Sequence, residues 1–254
     1  MKKLYILLAG GFLATTAFTS CDSVSEPDRF VDAEIIPRRA VLMEEFTGQR
    51  CTNCPRGHEK ISEMVQMFGD SIVPVSIHAS NLGTNFPVGL KTVTGEEYFK
   101  SVGQPALPQA VFDMQTPPLQ IADWGRVTAD LIIQPTPFTV KAKCEVSGSD
   151  LNIDVAFSSA EDYEGKLMVW VCQNNIVRPQ LDGAVTIQDY VHNHVFRAAV
   201  TPDIWGDDVK LEAHKAQYKS YVCPIDQYWG NENLYVVAFL YNDAGVAQVT
   251  SSHK

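Results

Sequence analysis

The stretch VLMEEFTGQRCTNCP, residues 41–55, decides the fold of this 254-residue chain. Its apolar start predicts a buried strand at residues 40–46. A short turn then leads to Cys51 and Cys54, and Cys54 begins a helix predicted over residues 54–68. A helix N-terminus carries about half a positive charge and unpaired N–H groups, which favour a thiolate. We therefore expect Cys51 to be an accessible nucleophile, mostly thiolate near neutral pH, and Cys54 to be shielded and to resolve the mixed disulfide.

This succession of strand, cysteine pair and helix resembles the thioredoxin fold. Proteins of that fold place a buried acid on the strand six residues before the nucleophile, and Glu45 holds that position here. They also place a cis-proline before the third central strand, where it packs against the active cysteines. The resemblance assigns that place to Pro108, directly before a strand predicted at residues 109–112, with Pro105 as the alternative. It implies that Glu45 shuttles a proton and that Pro108 shapes a groove for the substrate backbone.

The N-terminal residues have the features of a bacterial export signal. Lys2 and Lys3 precede an apolar stretch at residues 4–18, which is shorter than the roughly 20 residues that a membrane-spanning helix needs. The small residues before Cys21 resemble a lipobox, although Phe18 stands where a leucine is usual. We therefore expect residues 1–20 to be a cleaved signal peptide, Cys21 to carry acyl chains that hold the protein at the membrane, and residues 21–37 to form a polar tether.

Composition excludes several classes of function. The full sequence has a formal net charge of −10 without long runs of one sign, which argues against nucleic acid and anionic lipid as electrostatic partners. Hydrophobic residues make up 45% of the chain, enough for a packed core. The sequence contains no G-x-S-x-G, phosphate-loop or H-E-x-x-H motif, so the commonest hydrolase and nucleotide-binding functions are disfavoured, and no cofactor is expected.

The hydrophobic pattern changes at residues 135–137, where Pro-Thr-Pro interrupts any helix. Before it, strands alternate with helices, including two predicted at residues 94–102 and 123–134, which indicates an α/β thioredoxin-like domain over residues 38–134. After it, alternation of period two predicts an antiparallel immunoglobulin-like β-sandwich over residues 138–254. We expect these parts to form separate cores. Period-two alternation is clear at residues 138–144 and 151–157, and further strands are predicted at residues 166–172, 194–200, 218–223, 234–241 and 246–251.

The whole layout resembles the outer membrane protein 28-related lipoprotein family of Bacteroidetes. The residues that carry the resemblance are EEFTG at 44–48 leading into Cys51-x-x-Cys54-Pro55, His78 at the end of a strand, and VHNHVFR at 191–197. The resemblance implies an outer-membrane location, facing either the periplasm or the cell surface. Two function classes follow: thiol–disulfide exchange with envelope protein thiols, or a non-enzymatic surface lipoprotein that binds protein or glycan and uses the thioredoxin-like part as a scaffold.

Histidines near the cysteine pair are candidate supporting residues. His58 lies one helical turn after Cys54, and His78 ends the following strand. Together with the cysteines they could bind Cu(I) or Zn(II), but copper chaperones of this fold usually space their cysteines wider, so no metal is expected. His192 and His194 are expected to share one strand face as a hydrogen-bonding pair that fixes a loop. The sequence leaves open any pairing of the three cysteines in the second half, Cys144, Cys172 and Cys223.

Overall fold

The computed structural model describes residues 38–253, so the predicted signal peptide, Cys21 and the predicted tether lie outside the described residues. Strands and helices alternate first, in the order β1 (Val41–Thr47), α1 (Cys54–Phe68), β2 (Ile72–His78), α2 (Val93–Ser101), β3 (Gln109–Phe112) and α3 (Ile121–Ile132). This is the predicted order, the limits of α1 and β3 agree with the prediction, and β2 ends at His78 as predicted. The alternation arises because each strand is almost fully buried while the helices bury one face.

The remaining elements, from residue 138 onward, are strands. They are β4 (Phe138–Ser147), β5 (Asp150–Ser159), β6 (Tyr163–Gln173), β7 (Ile176–Val177), β8 (Gln180–Asp182), β9 (Val185–Ile187), β10 (Val191–His192), β11 (Val195–Ala199), β12 (Asp207–Leu211), β13 (Gln217–Pro224), β14 (Leu234–Asn242) and β15 (Gly245–Ser251). In the part of the chain that the structure describes, no helix is both long and apolar enough to cross a bilayer. The protein is therefore mostly β, as its second half predicts.

One mixed sheet runs through both halves of the chain. Its order is β15-β14-β6-β11-β2-β1-β3, and β12 also pairs with β6. β2 is parallel to both β1 and β11, whereas β3 is antiparallel to β1 and the strands beyond β11 pair antiparallel. A separate antiparallel sheet, β13-β5-β4, covers part of this large sheet, and two short ribbons, β10-β7 and β8-β9, complete the pairing.

The prediction of separate cores for residues 38–134 and 138–254 is wrong. β11 fills the open edge of β2 through the pair Val195–Ser76, where the Ser76 N–H donates to the carbonyl of His194 at 2.7 Å. An unpaired β2 edge would leave strand N–H and C=O groups without partners. Residues 135–137 do separate α3 from β4, but the chain after them returns to the same sheet.

The hydrophobic core shows the same continuity. One cluster joins Leu42 and Phe46 of β1 to Trp170 of β6 and Phe239 of β14 on one face of the large sheet. Alternate residues of β6 face the other way and pack against the β13-β5-β4 sheet, forming a second cluster. A third cluster lies under α1 and α3 and includes the buried Trp124. Both faces of the large sheet are therefore covered.

The start of α2 differs from the prediction by one residue, and its cap differs by two. The sequence TGEE at residues 94–97 matches a capping box that would begin the helix at Thr94, but α2 begins at Val93. Thr92 is its N-cap, and the Thr92 hydroxyl accepts a hydrogen bond from the Gly95 N–H at 3.0 Å. The capping-box spacing favours Thr94, which has Glu97 three positions later, whereas Thr92 has Gly95 there, so the sequence pattern selects the wrong threonine.

Candidate functional site

The cysteine pair lies where the end of β1 meets the start of α1. Thr47 is the last residue of β1, Cys54 is the first residue of α1, and the turn between them holds Cys51. The two Sγ atoms are at disulfide distance and the two Cα atoms are 5.4 Å apart. The structure therefore brings together the two residues that the sequence selects, in the disulfide form.

Cys51 is buried, with only 3% of its surface exposed, so the expectation of an accessible Cys51 is wrong. Residues 179–183, which we call the covering segment, hydrogen-bond to the turn that carries it. The Leu181 N–H donates to Gln49 O at 2.8 Å and the Gly183 N–H donates to Thr52 O at 3.1 Å. The covering segment comes from the second half of the chain, and no local pattern in residues 41–55 signals it.

Gln180 makes the central contacts of the covering segment. Its side chain is fully buried, and Nε2 donates to the carbonyls of Gly48 at 3.3 Å and Cys51 at 3.2 Å. Gln49 returns the interaction, because its Nε2 donates to Pro179 O at 3.0 Å. The contacts run in both directions, so the covering segment and the cysteine turn satisfy each other's backbone groups.

Glu45 is fully buried on β1 and faces α1. Burial raises its pKa from 4.5 to about 7, although hydrogen bonds from the hydroxyls of Ser76 and Thr47 act in the opposite direction. Ser76 donates to Oε2 at 2.7 Å, whereas Oε1 has no hydrogen-bond partner within residues 38–253. Glu45 can therefore gain or lose a proton near neutral pH, as the proton shuttle predicted from the resemblance requires.

Gly57 allows α1 to approach this carboxyl group. It lies one helical turn after Cys54, and a Cβ built on it would be 2.9 Å from Glu45 Oε1 and 3.2 Å from Pro108 Cβ. The Leu107–Pro108 peptide bond is cis, as expected for Pro108, and the bond before Pro105 is not among the cis bonds described. Glu45 and Pro108 therefore both pack against α1 at Gly57, one helical turn after Cys54.

His58 links Glu45 to the segment that follows the covering segment. Its Nε2 lies 3.0 Å from Thr47 Oγ1 and 3.6 Å from Glu45 Oε1, and its Nδ1 lies 2.8 Å from the Tyr190 hydroxyl. Burial lowers the pKa of His58 to about 4, so the imidazole is neutral at pH 7 and the contact with Glu45 is not an ion pair. Tyr190 is a site residue that the sequence analysis missed.

His78 and His192 extend this polar cluster. Their rings are 5.2 Å apart between centroids, and both ring nitrogens of His78 lack a hydrogen-bond partner among the described residues. Burial, reinforced first by His192, lowers the pKa of His78 well below 6.5. The predicted pairing of His192 with His194 is wrong, because His192 contacts Arg178 O whereas His194 lies 3.3 Å from the Tyr235 hydroxyl. The strand breaks between them, which turns the two rings to different surroundings.

Other candidate ligands do not assemble into a metal centre. Within residues 38–253, no three His, Cys, Asp or Glu side chains are grouped so that they could hold a metal ion. The cysteines of the second half are free thiols: Cys144 is half-buried, and Cys172 and Cys223 are buried. Burial raises the pKa of all three thiols. None of the three is therefore poised as a thiolate in the way that a reactive cysteine is.

The fold and the site together define a mostly β protein that holds a shielded cysteine pair above a buried, titratable carboxyl group. The particular family follows from a family-model comparison: the model for outer membrane protein Omp28 matches residues 95–253, and the chain belongs to that family. The matched range begins inside α2, after both cysteines of the pair. Family membership therefore supports an outer-membrane or envelope location and carries no information on thiol chemistry.

Two solved structures share the overall fold. HBP35 of Porphyromonas gingivalis is 16% identical, with a TM-score of 0.67 over 84% of this chain and 74% of that chain. A structural-genomics protein from Agrobacterium tumefaciens is 17% identical, with a TM-score of 0.53 over 85% of this chain and 95% of that chain. At these identities the similarity concerns the fold alone. A search of curated proteins finds none that matches this chain.

Proposed function

We propose that the protein catalyses thiol–disulfide exchange in the cell envelope through Cys51 and Cys54. The observation that carries the proposal is Glu45, a carboxyl group that is fully buried beside the start of α1 and has a pKa raised to about 7. Burying an ionisable carboxyl group costs stability, and buried carboxyl groups with a strongly raised pKa are frequent at functional sites. Its unpaired Oε1 faces the helix that begins at Cys54.

The topology around the site supports a thioredoxin-like assignment for residues 40–132. β1 lies between β2, which is parallel to it, and β3, which is antiparallel, and α1 and α3 pack on one face. The antiparallel β3 directly follows Pro108. For residues 138–253, the packing of the β13-β5-β4 sheet on β6, β12 and β14 supports an immunoglobulin-like sandwich, one layer of which is shared with β1 to β3.

The exchange begins from the disulfide form. A thiolate of an envelope protein attacks Cys51 Sγ, which forms a mixed disulfide and breaks the Cys51–Cys54 bond. Glu45, when protonated, supplies the proton that the released Cys54 thiolate takes up. A second thiolate of the partner then attacks the partner sulfur that is bonded to Cys51, forms the partner's disulfide and releases Cys51 as a thiolate. The partner loses two electrons and becomes a disulfide, while the cysteine pair gains them; the reverse sequence reduces a partner disulfide.

The covering segment must move for this reaction, because Cys51 is 3% exposed in the closed form. The covering segment donates four hydrogen bonds to backbone carbonyls of the cysteine turn, and water can take its place as the donor once the segment opens. A partner polypeptide with an extended backbone could take over the same carbonyls of the cysteine turn. The closed form therefore represents a resting state of the exchange site.

A trapping experiment tests the proposal. The Cys54→Ser variant should accumulate mixed disulfides with envelope proteins, visible as thiol-sensitive bands on non-reducing gels, because the second cysteine that resolves them is gone. Cys51→Ser should trap none, and Cys144→Ser, a thiol outside the site, should behave as the wild type. The absence of trapped partners in Cys54→Ser, together with a Cys51 that titrates near the ordinary value of about 8.5, would refute the proposal.

A second candidate function is a non-enzymatic surface lipoprotein that uses the thioredoxin-like part as a scaffold. The observation that favours it is the burial of Cys51 under residues 179–183, which is also what a purely structural disulfide would show. This alternative predicts that Cys54→Ser traps no partners and that the double variant Cys51→Ser/Cys54→Ser is less stable than the wild type.

We also propose that acyl chains on Cys21 anchor the protein to the outer membrane. Support comes from the export-signal pattern before Cys21 and from membership of the Omp28 outer membrane protein family. Mass spectrometry of the N-terminal peptide should find Cys21 as the first residue with a diacylglyceryl mass. An unmodified Cys21, or cleavage at another position, would refute the anchor.

A further inference from the structure

A cavity of about 560 Å³, lined by neither cysteine of the pair, lies between the loop at residues 86–90, the end of β6 and the loop at residues 228–233. Its volume is in the range of small-molecule sites, about 300–1,000 Å³. Three aromatic residues line it, together with two arginines and a group of side-chain amides. The aromatic residues are Phe86, Tyr228 and Trp229.

Arg197 is the unusual group of this cavity. It is 5% exposed, and its guanidinium carbon lies 5.2 Å from the ring centroid of Phe86 and 5.1 Å from that of Trp229. Its Nε and Nη1 have no hydrogen-bond partner, and no carboxylate within residues 38–253 lies at ion-pair distance from it. Two aromatic faces offset part of the cost of burying this cation, but they do not accept its N–H groups.

Arg197 lies at a β-bulge in β11. The pairing of β11 with β6 shifts register between Phe196 and Ala198, so Arg197 is the extra residue of a β-bulge. A bulge redirects a side chain that regular pairing would send elsewhere, and bulges are frequent beside binding sites. Burial, reinforced by Arg178, lowers the pKa of Arg197 to about 10, so it keeps its charge at neutral pH.

The other residues that line the cavity include several side-chain amides, and hydrogen bonds fix the loop at residues 228–233. Gln173 Nε2 donates to the carbonyls of Trp229 at 2.7 Å and Glu232 at 3.1 Å, which fixes the loop that carries the tryptophan. The side chains of Asn175 and Asn233 are 3.3 Å apart, and both residues have positive φ, a conformation that asparagine tolerates. The cavity is therefore formed before any ligand enters.

We propose that this cavity binds an acidic sugar, with the carboxylate facing Arg197 and Arg178. A carboxylate supplies the negative charge and the hydrogen-bond acceptors that a buried guanidinium lacks. The amides of the wall match sugar hydroxyl groups, and aromatic side chains offer faces for the apolar side of a sugar ring. Glu232 also lines the cavity and Asp226 lies near enough to raise the pKa of Arg197, so the site favours a single negative charge over a polyanion. The proposal is independent of the thiol chemistry.

Titration calorimetry of the full-length protein with glucuronate tests the proposal, with glucose and acetate as probes that carry only the ring or only the carboxylate. Glucuronate should bind at least about tenfold more tightly than glucose, the ratio expected when one charged hydrogen-bonding contact is lost. It should also bind more tightly than acetate, which lacks the ring and its hydroxyl groups. Equal binding of glucose and glucuronate, or of acetate and glucuronate, would overturn the proposal, as would no binding of glucuronate at millimolar concentration.

Matched arginine variants locate the site. Arg197→Gln and Arg178→Gln should each weaken glucuronate binding about tenfold or more. Arg126→Gln, at an exposed ion-paired position on α3, should leave it unchanged. If Arg197→Gln fails to fold, the half-buried Arg178 and Trp229→Leu still decide the question. Glucuronate affinity that is the same in Arg178→Gln, Trp229→Leu and Arg126→Gln would place the ligand elsewhere and refute the assignment.

Discussion

Removing the side chain of Gln180 should open the covering segment and speed reduction of the Cys51–Cys54 disulfide. Gln180 supplies two of the hydrogen bonds that hold the segment to the cysteine turn, to Gly48 O and Cys51 O. At about 0.5–1.5 kcal/mol net for each bond, Gln180→Ala should favour the open form by about 1–3 kcal/mol. That corresponds to an open population about 5- to 150-fold larger. The backbone bonds from Leu181 and Gly183 remain, so the segment still closes.

The assay is the initial rate of disulfide reduction by dithiothreitol, quenched with acid and measured by a maleimide gel shift. Gln217→Ala is the matched control, because Gln217 donates to Lys210 O at an exposed position on β13. It should be reduced at the wild-type rate. Urea unfolding of each variant separates local opening from a global loss of stability. If Gln180→Ala is folded and is reduced no faster than Gln217→Ala, Cys51 is reached by a route that does not involve the covering segment.

Two further predictions concern the groups beneath the cysteine pair. Because the pKa of Glu45 is raised from 4.5 to about 7, the folded state holds this proton more tightly than the unfolded state, and the free energy of unfolding should fall as pH rises through that window. Urea unfolding at pH 4.5 and pH 8 measures this decline, and in Glu45→Gln the difference in unfolding free energy between the two pH values should be smaller by up to about 3 kcal/mol. The same difference in Glu45→Gln and in the wild type would contradict the assignment. Gly57→Ala should lower stability by about 1–3 kcal/mol, since its Cβ would meet Glu45 and Pro108. Gly125→Ala on α3, where a Cβ meets nothing within 4 Å, should raise the melting temperature; equal shifts for the two variants would show that Gly57 is not a close contact.

The local elements around the cysteine pair could be predicted from the sequence because their determinants are local. The run at residues 41–47 begins with three apolar residues and is buried on both faces, and Pro55 fits the first turn of a helix. The limits Cys54–Phe68 follow from helical spacing and the glycine after it. The burial of Glu45 was also predictable, but only through the resemblance to thioredoxin. A glutamate inside an apolar run has no intrinsic tendency to be buried.

The joining of the two halves could not be predicted in the same way. The pattern of β11 is that of any half-buried strand, and nothing in it distinguishes a sandwich edge from a strand that fills the edge of β2. The pairing rests on one register position, Val195 with Ser76, between residues far apart in the chain. Proline-rich linkers usually mark domain boundaries, and residues 135–137 resemble one, so the sequence favoured a division that the tertiary pairing overrides.

The covering segment was missed for a related reason. Residues 179–183 have no hydrophobic period, and Gln180 is a polar residue that usually lies at a surface. Gln180 is completely buried because its side chain donates hydrogen bonds to backbone carbonyls of the cysteine turn, which lies elsewhere in the sequence. Arg197 was noticed in the sequence only as part of a motif, because the bulge that directs it depends on pairing with β6.

The shared sheet has a consequence for the order of events during synthesis and export. Cys51 and Gln180 are 129 residues apart, so in a chain that enters the envelope N-terminus first the cysteine turn arrives before the residue that covers it. During that interval the edge of β2 has no neighbour and the two thiols are open to any oxidant they meet. The disulfide can therefore form early, on an incomplete sheet, and the late arrival of residues 179–199 closes it from the solvent.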